Sequence, residues 1–173
     1  MNPAAPLGYL RPVSHRDAYD PEHQVDIEGY TGSLTTYSLA VSALLAGLRA
    51  SGRELPESYA VHDVILGGLA THKFSRLLAK GSVTSPLRAP FTEFEAPAGS
   101  AELNEEPRSS GSHLRHTLGE LLTCPFCVGV WVGTGYVAGL TLAPRLTRAW
   151  AAVFSVVGVS DALQQGYARI RED

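Results

Sequence analysis

Apolar and charged residues are segregated along this chain. Four runs are rich in apolar residues: 33–48 (SLTTYSLAVSALLAGL), 59–78 (YAVHDVILGGLATHKFSRLL), 121–143 (LLTCPFCVGVWVGTGYVAGLTLA) and 149–163 (AWAAVFSVVGVSDAL). The stretches between them hold most of the charges, prolines and serines. A soluble domain mixes the two kinds in amphipathic stripes. The segregation therefore predicts helices that cross a bilayer, each needing about 20 apolar residues. The third run suffices alone, with 23 residues and no charge. The first has 16 and is slightly short. The second is uncharged only over 64–71 and reads as a tilted or interfacial helix. Asp161 alone breaks the fourth.

Residues 1–32 read as a flexible tail, interrupted by Pro3, Pro6, Pro12 and Pro21. They have no apolar core of the signal-peptide kind. Residues 96–116, low in apolar side chains, read as a disordered loop, and 168–173 as a short tail. The expected fold class is all-α: an integral membrane bundle of about four helices over residues 33–167, with a disordered N-terminal tail and a long cytoplasmic loop. A soluble helical bundle is the alternative.

At 173 residues the chain has the length of one domain. Its 45% apolar and 18% charged residues give a mean hydropathy close to zero, which hides the segregation. The net charge of −3 without a basic run argues against nucleic acid as a partner. With the long second connection and both termini inside the cell, ten Lys and Arg fall on the inner side. Only Arg49, Arg53, Arg145 and Arg148 fall outside. The positive-inside rule favours that orientation in the cell membrane.

The third run carries glycine at 129 and 133, and again at 135 and 139. Each pair is spaced i,i+4 and presents a smooth helix face. The two faces point nearly opposite ways, since residues 133 and 135 are about 200° apart. Such a helix is expected at the centre of its bundle, with Gly129, Gly133, Gly135 and Gly139 available for oligomer contacts.

Both cysteines open this run, as Cys124-Pro125-Phe126-Cys127. Pro125 fits a first helical turn, with Thr123 or Cys124 as the cap, so both sulfurs lie near one face of that turn. Three uses are open. Thiol exchange matches the Cys-Pro-aromatic-Cys of glutaredoxin-like proteins, but no strand pattern precedes the motif. Zinc is the alternative cofactor to none; Cys124 and Cys127 would need further ligands from His72, His113, His116 or a second subunit. Packing of small polarisable groups between helices is the third. Two cysteines three apart make no disulfide framework. At the same inner depth lie His72, Lys73, Arg76 and Asp161. An ionisable group within a span seeks a partner, and Asp161 is expected to meet Arg76 or Lys73.

The segments THKFSRLLAKGSVTSPLRAPFTEFE and GELLTCPFCVGVWVG resemble DUF1360, a family of small bacterial membrane proteins of unknown function. The resemblance covers about residues 34–165. Its most specific parts are Thr84-Ser85-Pro86-Leu87-Arg88-Ala89-Pro90-Phe91 and Cys-Pro-Phe-Cys-x-Gly-x-Trp, ending at Trp131. It implies a helical integral membrane protein and brings no activity, cofactor or catalytic residue. The functional expectation is a structural or interaction component of a membrane assembly rather than an enzyme. It would contact other membrane subunits through Arg76, Arg88, Pro90 and Asp161. The alternative is a metal- or thiol-active membrane protein using the cysteine pair. A transporter subunit rests only on Asp63, Asp161 and the glycine faces.

Overall fold

A computed structural model describes residues 19–22, 25–109 and 112–172. Helix α1 spans Ile27–Ala50 and is capped by Asp26, whose side chain accepts from the Gly29 N–H at 2.9 Å. It starts inside the stretch that the sequence assigns to the tail. The hydroxyls of Thr31, Thr35, Thr36 and Ser38 return to carbonyls four residues back, so these four are satisfied within the helix. Helix α2 spans Val61–Lys80. A 3-10 turn, Ser82–Thr84, and a short helix α3, Ser85–Arg88, follow.

The chain is not all-α. Strands β1 (Thr92–Gly99) and β2 (Glu102–Pro107) form an antiparallel hairpin where the composition implies a loop. Ser100 and Ala101 at its tip both have positive φ, the backbone of a tight two-residue hairpin turn. Helix α4 (His113–Thr123), helix α5 (Pro125–Leu142) and helix α6 (Pro144–Glu172) complete the chain. Single residues, Cys124 and Ala143, separate these three helices. Helix α6 continues through the stretch expected to be a C-terminal tail.

The four long helices alternate in direction. Contacts of Tyr37 with Trp131 and Thr134, and of Arg53 with the Thr141 and Leu142 carbonyls, run α1 parallel to α5. Pairing of Asp63 with Arg148 and of Lys73 with Asp161 runs α2 parallel to α6. The one-residue joint at Ala143 turns α5 back antiparallel to α6. Three helices, α1, α5 and α6, are long and apolar enough to cross a membrane. Helix α2, which carries Asp63, Lys73, Arg76 and Lys80, falls short of that composition.

Helix α2 packs against α5, α6, α4 and β2. Its core contact joins Ala70 to Tyr136, Leu140 and Ala151, with Leu66, Trp150 and Phe154 around them. Phe74 meets Trp150 and Phe154 edge-on at 5.3 and 4.8 Å. Gly67 lets the Tyr136 ring lie on the α2 backbone: a Cβ there would sit 2.2 Å from Tyr136 Cε1. The two glycine faces of α5 serve different neighbours. Gly129 and Gly133 face Ser75 and Thr71 of α2, Gly139 faces Thr147 of α6, and Gly135 faces open space.

Candidate functional site: a folded cap at one end of the helices

Residues 81–123 build a polar cap over the C-terminal end of α2 and the N-terminal ends of α1 and α5. Arg88 is its centre and is only 1% exposed. A buried guanidinium must satisfy a fork of five donors. Here Nη1 donates to the Leu78 carbonyl at 2.6 Å and to Thr84 Oγ1 at 2.8 Å, Nη2 to the Gly81 carbonyl at 3.0 Å, and Nε to Glu105. Arg88 thus binds the Leu78 carbonyl in the last turn of α2 and the Gly81 carbonyl at its C-cap, and ties them to β2 through a buried carboxylate.

The rest of the cap extends this knot. Thr92 Oγ1 donates to the Arg88 carbonyl at 3.0 Å, and Arg108 Nε donates to the Thr92 carbonyl at 3.0 Å. Arg115 Nε donates to the Pro90 carbonyl at 2.7 Å, fastening α4. Gly119 lets α4 approach the segment before β1, because a Cβ there would lie 2.6 Å from the Phe91 carbonyl oxygen. Arg76 forks onto Glu102 with two bonds of 2.7 Å. The Ser82 N–H donates to the Ala101 carbonyl at 2.9 Å, holding the hairpin tip against the end of α2. On the other side, Asp26 receives Thr117 Oγ1 at 3.2 Å and lies 3.3 Å from His113 Nε2, joining α1 to α4.

Each of the four residues singled out for contact with partners also takes part in a bond within the chain. Arg88 is buried, so its effect on any contact is to shape the segment around it. Arg76 is engaged by Glu102, and the Pro90 carbonyl by Arg115. Asp161 pairs with Lys73, one of the two partners expected for it. The cap instead exposes Val83, Leu87 and Phe94. Sequence reasoning did not reach Glu102 and Glu105, which lie in a stretch with no strand-like alternation to flag it. It did not pair Asp63 with Arg148. The structure joins them by two bonds of 2.8 Å, and Tyr136 Oη donates to the Asp63 carbonyl at 2.8 Å.

Cys124 and Cys127 lie at the joint of α4 and α5. Cys124 caps α5: its Sγ accepts the Cys127 N–H at 3.3 Å, and the two sulfurs are 2.7 Å apart. Among the described residues, no group of three His, Cys, Asp or Glu side chains is arranged to hold a metal ion. His72, His113 and His116 therefore do not join the thiols as a ready-made ligand set.

The profile of the family described as "Protein of unknown function (DUF1360)" matches residues 66–167. The chain belongs to this family. The DUF1360 match takes in most of α2, the whole cap, α5 and most of α6; α1 lies outside it. Sporulation protein YjcA of Bacillus subtilis (strain 168) is 27% identical over 103 residues, covering 58% of this chain and 86% of that protein. No solved structure matches the chain.

Proposed function

We propose that this DUF1360 chain is an integral protein of the cell membrane that crosses the bilayer four times, with the cap and both termini in the cytoplasm. It serves as a non-enzymatic docking component of a membrane assembly. Three apolar helices support the membrane reading. Helix α2 joins them as a fourth span because Asp63 and Lys73 meet opposite charges from α6, and Arg76 meets one from the cap. Paired charges of this kind are how ionisable groups persist at membrane depth. The cap end holds Arg76, Lys80, Arg88, Arg108 and Arg115, which favours the cytoplasmic side. YjcA is named for sporulation; for this chain the proposal is limited to assembly in a membrane.

The observation that carries the docking role is the cap itself. Arg88, Thr84, Thr92 and Glu105 are engaged in internal bonds, while Val83, Leu87 and Phe94 stand exposed on the surface around them. Exposed apolar groups on a polar, ordered surface are the ordinary anchors of a protein contact. A photo-crosslinking amino acid at Leu87 or Phe94, in cells, should give adducts with membrane proteins of discrete mass. The same probe at Glu57, at the opposite end, should not. Adducts from Glu57 alone, or none from the cap, would refute the docking role.

A further inference from the structure

The cysteine pair lies outside the bonding of the cap, and the docking role does not use it. Its geometry is that of two thiols poised on one turn. The sulfurs are 2.7 Å apart, against about 2.05 Å in a disulfide. Closing the bond needs the sulfurs to approach by about 0.6 Å. Cys124 accepts two hydrogen bonds, from the Cys127 N–H and the Cys127 thiol. The first turn of α5 is open to the outside here: Phe126 is 89% exposed and Cys127 is exposed.

We propose that Cys124 and Cys127 form a two-electron dithiol–disulfide site that exchanges with small-molecule disulfides of the glutathione class. The Cys124 thiolate attacks one sulfur of the disulfide, forming a mixed disulfide and releasing one thiolate. Cys127 passes its proton to the released thiolate and then displaces the second thiolate, closing the Cys124–Cys127 bond. Two protein thiols are oxidised and one disulfide is reduced to two thiols, which take up both protons. The site opens α5 directly after α4, so its state is set at the joint between the cap and a membrane helix.

The test is equilibration of the full-length protein, in detergent, with glutathione buffers of graded ratio, followed by alkylation and mass analysis. Both thiols should be lost together, the chain should stay a monomer on non-reducing gels, and dithiothreitol should restore both. C124S and C127S should each stop at a glutathione adduct, with the C127S adduct forming several-fold faster. Two alkylatable thiols at the most oxidising ratio would overturn the site. So would interchain disulfides alone, or a co-purified metal that protects both thiols until it is chelated. A faster adduct on C124S would overturn Cys124 as the attacking group. The wild-type titration decides the main point even if neither variant folds.

Discussion

Asp63 and Arg148 share two parallel hydrogen bonds of 2.8 Å, which fasten the start of α2 to the start of α6. Asp63 is the buried member, and Arg148 is about half exposed. A planar guanidinium matches a carboxylate in this forked arrangement, and lysine does not. Asp63→Ala and Arg148→Ala should each lower the melting temperature of the detergent-solubilised protein. Arg148→Lys should recover only part of the loss. The double variant should be less destabilised than the sum of the two singles, because neither charge is then stranded. Strict additivity would show that the pair contributes nothing as a pair.

Arg88 is a sharper case, because both it and Glu105 are buried. Arg88→Met removes the donor fork and leaves the Glu105 carboxylate and the Leu78 and Gly81 carbonyls without it. Breaking a buried pair from one side costs about 3–5 kcal/mol. The loss should be local, with the hairpin released while the long helices persist. Limited trypsin digestion should then cut at Arg108 much faster than in the wild-type chain, with helical circular dichroism largely kept. Arg88→Met combined with Glu105→Met should slow that cleavage again. Unchanged cleavage in the single variant would remove Arg88 from the role assigned to it.

At Gly67 the constraint is contact rather than charge. Any larger side chain meets the Tyr136 ring, so Gly67→Val should destabilise by about 1–3 kcal/mol through overpacking. Tyr136→Ala in the same chain should relieve part of that loss, while Gly68→Val, which meets nothing within 4 Å, should be well tolerated. Equal effects at Gly67 and Gly68, measured by thermal unfolding, would contradict the packing described for α2 and α5.

Much of this architecture is legible in the residues, and the illegible parts have physical causes. The uncharged run around Trp131 marks α5 because a membrane span needs only length and apolarity. Pro125 and Cys124 mark its start because proline fits a first turn. The hairpin is hidden because Ser100-Ala101 lacks the Asn-Gly or Asp-Gly signal that usually announces a turn with two positive φ values. Its strands, TEFEAPAG and ELNEEP, read as solvated; their order comes from Arg76 and Arg88, which lie far from Glu102 and Glu105 in sequence. Similarly, nothing local says that Gly129 and Gly133 face α2 within the chain while Gly135 does not. That choice is made by which neighbour brings Thr71 and Ser75 alongside. The start of α1 at Ile27 depends on Asp26 as cap, and Asp26 is in turn held by Thr117 of α4.

The account rests most on which end of the bundle faces the cytoplasm. In a C124S/C127S background, single cysteines can be placed at Ser109, on the cap, and at Glu57, in the connection between α1 and α2. A membrane-impermeant maleimide applied to intact cells should label Glu57→Cys at once, and Ser109→Cys only after the membrane is opened. Labelling of both positions in intact cells, or of Ser109→Cys alone, would contradict a four-span protein with a cytoplasmic cap.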